Sequence, residues 1–213
     1  MARSTEILKI KGDWQEVVDD SRMTVGKESL GHEPSKKFKI GILIAEHSTI
    51  RDIIIKWMWR GIKSYVATHF SRHKWECCIK TQRSDRVGVN TDKNTRDTLV
   101  NFVGNANPQH LIDSWRKRLC CQSSDETREK AEDFKLTLHA YEPEISDVLV
   151  PNCVYRCGCP EMQMCKRKLW PSFVNWCYGQ RVNVTKTSIE ERYMLYNEWF
   201  RTEWSVKSNG EAV

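Results

Sequence analysis

The sequence predicts one compact globular domain that combines strands with helices, and three observations carry that reading. A chain of 213 residues can bury a real core without staples. Nine Trp, six Tyr and six Phe supply large burial units, although only 39% of residues are hydrophobic and 29% are charged. Short β-branched runs also alternate with stretches of helical apolar spacing along the chain.

Taken in order, Ile7–Lys11 reads as a short strand, followed by a polar helix or turn around residues 13–18. Gly26 to Lys37 is a polar loop. Phe38–Ile44 fits a strand or the start of a buried helix, with the helix preferred. Ile53–Trp59 is β-rich, Gly61 punctuates it, and Ile62, Tyr65, Val66 and His69 recur at helical spacing. Residues 87–104 are polar and read as the longest loop. Pro108 suits the first position of a helix capped by Asn107, running through Leu111, Ile112, Trp115 and Leu119. Ser123 or Ser124 begins a second helix with an acidic first turn, which carries Ala131, Phe134, Leu138 and Tyr141 inward before Pro143. Residues 151–183 are punctuated by Cys, Pro and Gly, and Glu190–Phe200 is a terminal amphipathic helix with a frayed tail.

Composition excludes several classes. No apolar run approaches the ~20 residues that cross a bilayer. The start, Met1 to Lys9, has no apolar stretch of the secretory type. The nine cysteines, two adjacent pairs among them, suit a reducing cytoplasm better than a disulfide framework. Lys and Arg number 34 against 28 Asp and Glu, a net charge of +6. That excess suits an enzyme for anionic small molecules as well as a nucleic-acid binder.

Three clusters can carry chemistry. Arg72-His73-Lys74 is followed by Thr81, Gln82, Arg83 and Arg86, a fork-bearing donor set of the kind phosphate recognition needs. A solvated basic loop is the competing reading. Asn107 and Arg118 share a helix face with apolar residues, and an arginine drawn inward needs an anion or a carboxylate. Asp125 or Glu126 would satisfy it internally. Cys153, Cys157, Cys159 and Cys165 offer four thiolates for zinc without the paired Cys-x2-Cys spacing, so reduced packing cysteines come first and zinc second. Cys77 or Cys78 could serve as a thiolate if Arg72 and His73 are both charged nearby. Trp57, Trp59, Tyr65 and Phe70 read as core ahead of a base-stacking platform. Neither Gly-x-Gly-x-x-Gly nor Gly-x4-Gly-Lys-Ser/Thr occurs.

The order of these clusters resembles the flavin-dependent thymidylate synthases. Ser21-Arg22-Met23-Thr24 matches that family's Ala-Arg-Val-Ser, and His47 to Asp52 matches its His-x-Pro-Phe-Glu-His, with Arg51-Asp52 for Glu-His. Arg72 to Ser84 matches Arg-His-Arg-x2-Ser-x4-Ser-x-Arg-Tyr with one residue fewer; Lys74, Cys77 and Ser84 replace Arg, Ser and Tyr. An alternative register makes Arg86 a reserve phosphate ligand. Asn107 to Arg128 aligns without gaps on Asn-x3-Leu-x5-Leu-Arg-x5-Gln-x2-Ile-Arg, with Lys117 for Leu and Ser124 for Gln.

The resemblance implies an α+β fold of the thymidylate synthase-complementing type, a mixed sheet flanked by long helices, assembled as a homotetramer with shared sites. It implies a flavin- and nucleotide-binding domain over residues 1–150, with 151–213 packed on it. The implied reaction moves a one-carbon unit from methylenetetrahydrofolate to C5 of dUMP, giving dTMP, with FAD as cofactor and NADPH as reductant. Arg72, His73 and Lys74 would hold flavin with Asn107 and Asp113. Thr81, Gln82 and Arg83 would hold the nucleotide phosphate, with Arg128 also at the nucleotide. Arg118 would be the catalytic group facing the pyrimidine, and His47 would line the folate or nicotinamide entrance. Hydroxymethylation of dUMP, methylation of UMP, or a basic Cys-rich nucleic-acid-binding module are the alternatives. A cytoplasmic location follows, the host's if the source is viral, with neither membrane nor nucleic acid as partner.

Overall fold

The computed structural model describes residues 4–204, and the frayed tail expected beyond Trp204 lies outside them. The elements run β1 (Thr5–Lys11), α1 (Trp14–Met23), α2 (Lys36–Ile44), a 3-10 turn (Ser48–Asp52), β2 (Ile54–Lys63) and α3 (Ser64–Ser71). There follow β3 (Glu76–Ile79), α4 (Ser84–Val87), β4 (Leu99–Ala106), α5 (Pro108–Arg118) and α6 (Asp125–Leu138). The chain ends through α7 (Pro143–Val148), α8 (Asn152–Tyr155), α9 (Leu169–Gly179), α10 (Ile189–Trp199) and a π-helical turn, Phe200–Trp204.

The four strands lie in the order β1-β2-β4-β3. The α+β class is as expected, but all three pairings are antiparallel, so the sheet has no parallel pair among the described strands. Ile55, Trp57 and Trp59 alternate inward along β2, as a half-buried strand requires. Gly61 does not end that strand. Its positive φ of 59° sits in the register shift between Trp59 and Ile62, a bulge that carries β2 on to Lys63.

β4 replaces the second half of the loop expected over residues 87–104. Val100, Phe102, Gly104 and Ala106 point inward at period two, with Asn101 and Asn105 between them. Gly104 has a packing reason: a Cβ there would stand 2.2 Å from the Trp57 ring. Trp57 is the hub of the core, its ring meeting those of Trp59, Trp75, Phe102, Trp115 and Phe134. The aromatic set is thus core rather than a stacking platform.

The helices cover the sheet and one another. Trp115 Nε1 donates to Ala131 O at 2.8 Å, locking α5 to α6. Trp59 Nε1 donates to Thr5 Oγ1, and Thr5 Oγ1 to Asp133 Oδ2, both at 2.7 Å, joining sheet to α6. The segment 169–179 forms a helix despite its punctuation, because Pro171 falls in the first turn, where no N–H is needed. α8 packs on α5, and α10 on α2 and α7.

Candidate active site

Helix α5 begins where its cap dictates: Asn107 Oδ1 accepts from His110 N at 3.0 Å and Pro108 follows. Leu111, Ile112 and Trp115 anchor its inner face, which carries Arg118 toward the end of α3. There Arg118 Nε donates to His73 Nε2 at 2.8 Å, and Nη2 donates to His69 O at 2.7 Å. The His69 carbonyl is available because it lies in the last turn of α3, where carbonyls lose their helical partners.

To accept from Arg118, His73 Nε2 must carry no proton. Burial, then Arg118 and Lys117, push its pKa down to about 4. His69, whose Nδ1 lies 2.8 Å from Thr127 Oγ1, is likewise lowered by burial, Arg118, Arg72 and Arg96. Burial and the neighbouring Arg72 also lower the pKa of Arg118 itself. The site is a half-buried guanidinium held by the neutral His73 ring and the His69 backbone carbonyl, in positive surroundings.

No carboxylate among the described residues pairs with Arg118. Glu126 is taken by Lys63 at 2.9 Å. Asp125 faces Arg128 and Arg167 at 3.5 and 3.3 Å. The internal ion pair that sequence allowed for Arg118 is therefore not made.

An open cavity of about 500 Å³ is lined by Lys80, Thr81, Gln82, Thr91, Asn94 and Val100, among others. Gln82 Nε2 donates to Ser64 Oγ at 3.1 Å, and the Arg96 guanidinium lies 5.0 Å from the Tyr65 ring centre. The first turn of α3 thus touches the cavity wall through Ser64 and Gln82, and its last turn meets Arg118 at His69, roughly 7.5 Å further along the helix. Thr81 and Gln82 belong to the cavity. Arg83 is exposed and its Nε and Nη2 grip the Asp85 carboxylate at 3.1 and 2.7 Å, while Arg86 Nε reaches the same group at 3.9 Å. Arg83 does not line the cavity, and its contacts and those of Arg118 share no residue within one chain.

Other expected residues fall elsewhere. Arg128 is only 1% exposed, its Nη1 2.5 Å from Glu132 Oε1, so it is an internal strut, not a nucleotide contact on this chain. Asp113 is exposed and stands 3.6 Å from Arg116. The side chain of Asn107 is committed to its cap. Arg72 and Lys74 flank His73 and are exposed. His47 is exposed, with Nδ1 3.2 Å from Thr49 Oγ1, and Thr49 in turn contacts Ser21 Oγ at 2.8 Å, so the first two matched elements do meet. Cys77 is no thiolate: burial and Cys78 raise its pKa, and neutral His73 lends no charge. Cys157 turns away from the other cysteines, its Sγ 3.9 Å from Val184 O. The four-cysteine set 153, 157, 159 and 165 is not assembled.

Sequence reasoning missed two participants. His69 read as an apolar-face position, although it lies four residues before His73 and so on the same side of the chain's end. Arg96 lay in a stretch without periodicity, and nothing local marked it.

No helix among the described residues is long and apolar enough to cross a membrane. No protein-family model matches the sequence, and no curated protein is similar to it in sequence. Among solved structures the chain is similar to a UMP/dUMP methylase, PolB, from Streptomyces cacaoi, solved with 5-Br dUMP bound. The TM-score is 0.54 at 11% identity, covering 68% of this chain and 93% of that one. The likeness is one of fold.

Proposed function

We propose that the protein methylates C5 of a pyrimidine nucleotide, converting dUMP to dTMP with methylenetetrahydrofolate, FAD and NADPH. The observation that carries the reading is Arg118, half-buried, without a carboxylate, and aimed by His73 and His69. A guanidinium so placed has lost hydration without gaining a counter-charge, and an anionic ligand restores the balance. As C5 of the pyrimidine becomes nucleophilic, negative charge builds on the ring carbonyls. Preorganised N–H donors from Arg118 stabilise it there.

The donor set fits the groups the reaction requires. Flavin, when bound, supplies the hydride and relays the carbon unit. The protein's share is to bind and orient. Arg72 and Lys74, exposed on either side of His73, suit flavin phosphates. The nucleotide phosphate suits Thr81, Gln82 and Arg83, where it would take from Asp85 a fork geometry that carboxylate and phosphate share. A homotetramer with shared sites, as the resemblance implies, would bring Arg83 of one chain to Arg118 of another. His47 stands at the folate or nicotinamide entrance.

UMP is the second substrate to test, since the similar structure is a UMP/dUMP methylase. The experiment is a visible spectrum of the purified protein, then product masses from labelled folate with dUMP and with UMP. Yellow protein and a methylated product are expected. Colourless protein with strongly salt-dependent polynucleotide binding would instead support the nucleic-acid module.

A further inference from the structure

Five cysteines from two distant stretches converge on one small cavity behind the α5–α6 joint. Cys120 and Cys121 come from that joint; Cys153, Cys159 and Cys165 come from the segment after α7. The free volume between them is about 10 Å³, room for one water-sized occupant and nothing larger. Cys153 and Cys165 are each 7% exposed. The chain reverses at Cys157, where φ is 55°, and Gly158 N donates to Cys153 O at 2.9 Å. That knuckle returns Cys159 to the side of Cys153. All nine cysteines are free thiols.

We propose that Cys120, Cys153, Cys159 and Cys165 bind one zinc ion, or a comparably soft divalent metal, tetrahedrally. This set replaces Cys157 with a thiol contributed from more than thirty residues upstream, which no local spacing rule would find. Soft thiolates in a closed four-ligand set are a structural zinc site, not a catalytic one. Among the described residues no three such side chains already stand in ligating positions. Closure therefore takes rotation of the cysteine side chains between staggered wells about the cavity they line. Each S–H gives up its proton as its Zn–S bond forms, four per ion.

Four sulfurs that have each lost a proton repel one another, and a positive ion at their centre offsets that repulsion. Lys166, Arg167 and Lys168 follow Cys165 directly and offset the excess charge of a four-thiolate site. Cys120 lies two residues beyond Arg118, so the metal would pin the end of the helix that presents that arginine.

The test is metal content of the full chain purified without chelator, then titration of the chelator-stripped protein with Co2+ alone. About one zinc per chain is expected, and Co2+ should give a thiolate charge-transfer band with intense tetrahedral d–d bands. Cys159→Ser and Cys165→Ser should lose that spectrum, and Cys157→Ser should keep it. The wild-type titration needs no variant to fold. Absence of both zinc and the cobalt–thiolate band in wild type overturns the proposal. So does loss of the band in Cys157→Ser, or fewer than nine titratable thiols in denatured, unreduced protein, since a disulfide would then occupy the cluster.

Discussion

Arg116 and Arg118 stand two residues apart in the last turn of α5 and have opposite surroundings. Arg116 lies between the turn after α2, where it pairs with Glu46, and α8, where it stands 3.6 Å over the Tyr155 ring. Gln109 Nε2 donates to the same Glu46 at 2.6 Å. Burial opposes charge on Arg116, but Glu46 outweighs it and raises its pKa. Arg118 faces α3, where only a neutral imidazole and a carbonyl receive it, and its pKa is lowered. Arg128 belongs with Arg116: burial acts against it, yet the Glu132 and Asp125 carboxylates keep it charged. Paired arginines hold the helices together, whereas no carboxylate among the described residues neutralises Arg118.

That contrast can be broken by mutation, and the largest effect is expected on the paired side. Arg128→Ala leaves Glu132 buried and uncompensated, and should cost about 3–5 kcal/mol in denaturant unfolding. An unchanged midpoint would mean that the pair supports nothing. Arg118→Ala should do the reverse: turnover falls ~10²–10³-fold or more while flavin binding and the unfolding midpoint largely survive. Near-wild-type turnover would remove Arg118 from the mechanism.

Smaller effects sharpen the same division. Gly104→Ala pushes a methyl into the Trp57 ring and should cost about 1–3 kcal/mol, read as a lower thermal midpoint. A pH-dependent effect concerns His73, whose folded pKa of about 4 lies below its ordinary 6.5. As pH falls from 6.5 toward 4 the unfolded chain takes up this proton before the folded one, so stability declines across that window. His73→Gln keeps an acceptor for Arg118 and does not titrate, so its stability should fall less steeply over the same range. Equal slopes in the two proteins would show that His73 is not held neutral by the fold.

Much of the helical framework was legible because its signals are local. Asn107 caps α5 ahead of Pro108, and an acidic first turn suits the start of α6, though Ser124 there bonds Thr127 Oγ1 rather than capping a backbone N–H. The strand Leu99–Ala106 was hidden because Asn101 and Asn105 make its outer face resemble a loop, though the inner face keeps strict alternation. Aligned positions proved uneven guides: Arg118 sits half-buried beside His73, while Arg128, equally well aligned, is sealed in an ion pair.

By itself the sequence determined the helix starts, the buried positions and the stock of donors, since capping, periodicity and side-chain chemistry act within a few residues. Only the tertiary structure decided which arginine is neutralised and which cysteines meet. A charge or thiol takes its character from neighbours that distant segments deliver: Glu46 reaches Arg116 across 70 positions, and His73 reaches Arg118 across 45.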